Sequence, residues 1–131
     1  MFGIDTNILV RYLSRDDAGQ LVIVDRFVDG LTLENPGYIS LAVCMELNWV
    51  LDRGYGLTRA QIAETFRRLL AVSTFHIERP AVLASALRGF SRSNADFADC
   101  LIARAAAHAG CAQTMTFDKK AAKAGGMTLL A

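Results

Sequence analysis

The sequence predicts an α/β fold with a mainly parallel sheet covered by helices on both faces. Short apolar runs of strand length alternate with longer amphipathic runs along the whole chain, the signature of βαβ crossovers. Two of the short runs end at an aspartate, Asp5 and Asp118, and the carboxyl ends of parallel strands share one edge, where open α/β sheets bind ligands. The length, 131 residues, suits one domain over 1–131, with no linker or repeat.

Met1 to Ile4 reads as a buried strand, too short for a helix, halted by Asp5. Ile8 to Leu13 reads as a short helix. Asp16 or Asp17 caps the next, whose Leu21, Val24, Phe27, Val28 and Leu31 fall at helical spacing. Asn35-Pro36-Gly37 signals a turn before a strand at Tyr38-Ile39. Ser40 caps a helix through Leu41, Met45, Val50 and Leu51, ended by Gly54. Thr58 and Gln61 have capping-box spacing ahead of a helix through Ile62, Phe66, Leu69 and Leu70. Phe75-His76-Ile77 is strand-like, and Pro80 suits the first turn of a helix reaching Phe90. Residues 91–94 form a polar loop before a long helix from about Asp96 to Gly110. Ala112 to Phe117, a short basic helical segment, a Gly125-Gly126 turn and a strand from Met127 to Leu130 complete the pattern.

Composition excludes several classes. Hydrophobic residues make up 53% and charged residues 21%, the reverse of a disordered chain. No apolar run reaches the roughly 18–20 residues of a membrane span, so no membrane partner is expected. The start of the chain meets Asp5 before any basic-then-apolar leader can form. Three cysteines, Cys44, Cys100 and Cys111, are an odd count without a C-x-x-C pair, which points to a reducing cytoplasm and small core fillers rather than disulfides. Trp49, Leu21 and Phe27 are expected to pack in the core.

Of thirteen acids, Asp25, Asp29, Glu34, Asp52, Glu64 and Glu78 read as polar-face or turn residues, and Asp16 and Asp17 as caps. Five stand out. Asp5 and Asp118 end strands. Glu46 interrupts the otherwise nearly apolar run from Ala42 to Leu51, where a charge needs a partner or a route to solvent. Asp96 and Asp99, three apart at a helix start, share a face. Asp96 suits simple complementarity to the helix dipole, whereas Asp99 precedes Cys100-Leu101-Ile102-Ala103 and is expected to face inward. Converging carboxylates repel by several kcal/mol unless a cation neutralises them, and all-oxygen ligation suits Mg²⁺ or Mn²⁺. Zinc is a poor candidate, because His76 and His108 share no metal-ligand spacing with each other or with a cysteine. Setting four acids aside at a metal leaves nine against fourteen Lys and Arg, a positive excess suited to phosphates. Arg11, Arg15, Arg92, Lys119, Lys120 and Lys123 are the candidate contacts.

The Asp5-Thr6-Asn7 opening after an apolar strand, the helix from Ser40 through Glu46-Leu47-Asn48-Trp49-Val50-Leu51, the Asp96-Phe97-Ala98-Asp99 helix start and Thr116-Phe117-Asp118 together resemble PIN domains. The likeness covers essentially the whole chain in order and is greatest to the single-domain VapC toxins of bacterial toxin–antitoxin pairs. It implies a PIN-like three-layer sandwich and a Mg²⁺- or Mn²⁺-dependent endoribonuclease. By the resemblance, Asp5, Glu46, Asp99 and Asp118 match acidic metal ligands and catalytic positions, with Asp96 a further candidate. Asn7 and Thr116 match polar positions that orient those acids or bind water. The resemblance also implies a homodimer, a VapB-type antitoxin partner and an RNA substrate. Metal-activated water would attack the phosphodiester, and the chain offers no Ser-His-Asp or Cys-His arrangement for covalent catalysis. Two other readings compete. One is a receiver-like phosphoacceptor domain, which needs an aspartate ending a middle strand. The other is a PIN-like module that binds RNA or protein without turnover.

Overall fold

In the computed structural model, which describes residues 1–130, only Ile4 and Asp5 separate the first strand from the first helix, and Asp5 is that helix's N-cap. The last residue of the expected 1–131 span lies outside the described residues. The elements run β1 (Phe2–Gly3), α1 (Thr6–Ser14), α2 (Ala18–Asp29), β2 (Gly37–Ile39) and α3 (Leu41–Trp49), then a π-helical turn (Val50–Gly54). They continue as α4 (Arg59–Ala71), β3 (Phe75–Ile77), α5 (Pro80–Arg92), α6 (Phe97–His108), β4 (Met115–Thr116), α7 (Lys119–Ala124) and β5 (Thr128–Leu129). The fold is α/β and every strand pair is parallel. The strands are two or three residues each: β1, β4 and β5 are shorter than the apolar runs that encode them, β2 begins one residue before its expected start and β3 matches.

By its contacts the chain divides into two compact units. The first is Met1–Thr58 with Arg68–Glu78, and the second is Arg59–Arg67 with the chain from Arg79 onward. The first unit holds a three-stranded sheet in the order β1-β2-β3, with Phe2 opposite Gly37, Gly37 opposite Phe75 and Ile39 opposite Ile77. Parallel neighbours cannot be joined by a hairpin, so helices fill each connection. Ile4, Leu9, Val10, Val24, Ile39, Cys44, Leu47 and Leu51 are among its buried apolar residues. Gly37 is required by space. A Cβ there would run into the buried Ile4 and Leu31 side chains.

In the second unit α5 packs on α6. Phe97 is the pivot, stacked on Phe66 at 4.8 Å between ring centroids and edge-on to Phe90 at 5.8 Å. Such offset and T-shaped pairs are the favoured aromatic geometries. Val82, Leu83, Ala86, Leu87 and Leu101 are buried with them. A second, two-stranded parallel sheet joins β4 to β5, pairing Met115 with Thr128.

Several expectations need correction. Trp49 is 57% exposed rather than in the core, its ring covered by the Arg53 guanidinium at 5.2 Å. Leu21 and Phe27 are half-buried, Phe27 meeting Phe2 edge-on. Cys44 and Cys100 are buried fillers as expected, but Cys111 is exposed. Burial, with the nearby Glu78 charge, pushes the Cys44 thiol up to about 12, which keeps it protonated and inert. Glu78 is more than a polar-face residue: its carboxylate accepts from the Leu41 N–H at 2.9 Å and so satisfies the first turn of α3.

Candidate active site

Each acid singled out in the sequence sits at a helix start or on a helix held by one. In the first unit, Asp5 is the N-cap of α1, and its Oδ1 accepts from the Thr6 N–H at 2.8 Å. Ser40 caps α3 through the Val43 N–H at 3.1 Å. Because β1 and β2 are adjacent and parallel, these two caps emerge at the same sheet edge. Helix α3 then carries Glu46 back over that edge, where Glu46 Oε1 accepts from Thr6 Oγ1 at 2.9 Å. Thr6 is 7% exposed, while Asp5, Asn7 and Glu46 are open to solvent. Asp5 and Glu46 are thus tied to one residue, the first through its amide and the second through its hydroxyl. Thr6 itself was not singled out in the sequence. Its place between Asp5 and Asn7 was the available signal.

In the second unit, Asp96 is the N-cap of α6, yet its side chain makes no cap bond. It pairs instead with Lys120 Nζ at 3.3 Å. Asp99 lies in the first turn, half-buried, and its carboxylate accepts no hydrogen bond among the described residues. Burial pushes the Asp99 carboxyl up, and the charges of Asp96 and Asp118 push it further, against a smaller opposing effect from Lys120. Asp118 caps α7, its Oδ1 accepting from the Lys120 and Ala121 N–H groups at 2.8 and 3.1 Å. Thr116 Oγ1 accepts from the Asp118 N–H at 3.0 Å and holds the acid's backbone. Gly125 was missed as a site residue. A Cβ there would come within 3.2 Å of Asp99 Cβ and 2.8 Å of the Ala121 carbonyl, so only glycine lets Asp99 sit where it does.

A shared logic emerges within each unit. Asp5, Glu46 and Asp118 each commit one carboxylate oxygen to the fold and leave the other without a hydrogen-bond partner among the described residues. Cap and ligand are therefore compatible roles for one aspartate. The donor chemistry, carboxylate oxygen with no histidine or cysteine, fits a hard divalent ion, and the like charges around Asp99 are of the kind such an ion relieves. Among the described residues no group of three or more His, Cys, Asp or Glu stands ready-made as a metal cluster. Three of the six basic candidates are engaged: Arg11 with Asp16 at 3.2 Å, Arg15 with Asp25 at 2.8 Å and Lys120 with Asp96 at 3.3 Å. The middle strand β2 runs into Ser40, not an aspartate, which removes the receiver-like reading.

The family model for the PIN domain matches residues 3–127, and the chain belongs to that family. It is also similar to a VapC ribonuclease of Aquifex aeolicus (strain VF5), 24% identical over 127 residues that cover 96% of this chain and 93% of the relative. No solved structure matches. Among the described residues no helix is long and apolar enough to cross a membrane.

Proposed function

We propose that this chain is the toxin of a type II toxin–antitoxin pair, an endoribonuclease that hydrolyses RNA phosphodiester bonds with Mg²⁺ or Mn²⁺. The observation that supports it most is the PIN-domain match across residues 3–127, which spans every acid discussed above; the VapC ribonuclease likeness points the same way. In this reading residues 1–131 work as one domain, in the cytoplasm, as a homodimer restrained by a VapB-type antitoxin.

Asp5, Glu46, Asp99 and Asp118 would hold the ion, with Asp96 a further candidate ligand. When bound, a divalent ion lowers the pKa of its water and offsets charge on the scissile phosphate. The chain's own residues prepare for this. Thr6 fixes the rotamers of Asp5 and Glu46 by donating one hydrogen bond to each. Thr116 holds the backbone of Asp118 and the α7 amides orient its carboxylate. Asn7, exposed beside Asp5, presents an amide to water or to the phosphate.

The test is cleavage of single-stranded RNA with Mg²⁺, with Mn²⁺ and with a chelator, comparing the parent with Asp5→Asn. Cleavage that needs the metal and disappears in the variant supports the proposal. Metal-independent cleavage, or an unimpaired variant, contradicts it. Metal-insensitive binding of RNA without cleavage would assign the chain to the non-catalytic module.

A further inference from the structure

Beside the acids of the second unit, Ser93 and Asn94 of the α5–α6 loop face Lys119, Lys120 and Lys123 of α7 across a cleft of about 510 Å³. Three ammonium groups on one short helix repel one another, and the fold neutralises only one of them. Lys120 is paired with Asp96 at 3.3 Å, whereas Lys119 and Lys123 have no ion-pair partner among the described residues. The opposite wall supplies the exposed side-chain amide of Asn94, which binds phosphate oxygens without adding negative charge, while the Ser93 hydroxyl donates to the Gly89 carbonyl at 2.8 Å and shapes the loop. Two unneutralised lysines facing neutral polar groups make a cleft suited to an anion with more than one charge.

Phe117 indicates which polyanion. It is 80% exposed, one residue before Asp118 and two before Lys119. An exposed phenylalanine on a strand exit costs solubility and gains nothing from an acidic peptide, but it offers a face on which an unpaired base can stack. Aromatic platforms interleaved with lysines are how proteins hold single strands.

Building on the proposed ribonuclease activity, we infer that the Lys119–Lys123 cleft, with Asn94, is a binding subsite for backbone phosphates of single-stranded RNA next to the cleaved bond, with Phe117 as a stacking platform for a base. The cleft reads the backbone and not the sequence, so it sets affinity and salt dependence for every substrate alike.

The experiment measures binding of a fluorescent single-stranded RNA by an Asp5→Asn background, which cannot turn the RNA over, as salt is varied. Lys119→Gln/Lys123→Gln is compared with a charge-matched control, Arg88→Gln/Arg104→Gln, on exposed faces of α5 and α6. Loss of two phosphate contacts reduces the slope of log affinity against log salt by about 1.4 and weakens binding on the order of tenfold at 0.1 M salt. The control leaves the slope within error. Phe117→Ala weakens binding without changing the slope, because stacking releases no counterions. Equal slopes in the lysine variant and the control overturn the inference. So does a lysine variant that loses affinity for polyglutamate while keeping it for RNA, which would give the cleft to an acidic protein segment. Metal-dependent cleavage by the parent, measured alongside, shows whether the ribonuclease reading stands when the subsite fails.

Discussion

Thr6 carries the first unit's half of the account. It is nearly fully buried, and both of its hydrogen-bonding handles are spent on acids, the amide on Asp5 and the hydroxyl on Glu46. Thr6→Val keeps the shape and the amide but removes the hydroxyl. The expected result is a loss of RNA cleavage of about 10- to 100-fold, as for other residues that orient a metal ligand, with a stability cost of only about 1 kcal/mol. Thr6→Ser should restore most of the activity, and steady-state kinetics with a thermal melt checks both. Asp99 makes the converse prediction. Its carboxyl is raised above the ordinary value of 3.8, so the ionised form is disfavoured in the folded state. Its penalty is present at neutral pH and is relieved as pH falls through the raised value. Asp99→Asn should therefore raise the melting temperature at pH 7, by about 1–3 °C after solvent screening. That gain should shrink toward acid pH, as calorimetry across pH would show. An unchanged or lower melting temperature at pH 7 would mean that the crowding of Asp96, Asp99 and Asp118 costs the fold nothing.

At the scale of elements, the helices present the acids because they start where strands stop. Asp5 and Asp118 were legible in the sequence as strand-end acids and Ser40 as a helix cap, and the structure places all three as N-caps. The caps set where β1 and β4 can end, whereas β4 also begins three residues later than its apolar run. A hydrophobic run shows where a strand can be, not where its ladder ends. Trp49 was misjudged for a related reason: α3 is apolar nearly all round, so periodicity could not tell its buried face from its open one. Gly125 and Glu78 were invisible as positioning residues, since the first acts through the space it leaves for Asp99 and the second through a contact 37 residues away in sequence. Gly125→Ala tests the first of these. Its backbone φ of −88° suits alanine, so any effect arises from the 2.8 Å clash with the Ala121 carbonyl and the 3.2 Å approach to Asp99. The variant should stay folded by circular dichroism, lose about 1–3 kcal/mol of stability from overpacking and lose more cleavage activity than that destabilisation explains.

For the whole molecule, sequence reading captured the α/β class, the parallel pairing and the order of elements. The division into two compact units was not legible, because no composition shift marks the three points where the chain passes between them. The proposed function treats Asp5, Glu46, Asp99 and Asp118 as one catalytic group. Residues that act as one catalytic group lose activity non-additively, since removing the first already removes the function of the rest. The decisive measurement is a double-mutant cycle on metal-dependent RNA cleavage with Asp5→Asn, Asp99→Asn and the combined variant. The account predicts that each single change abolishes most of the cleavage and that the combination costs no more than the worse of the two. Losses that simply multiply, or cleavage that survives either change, would contradict it.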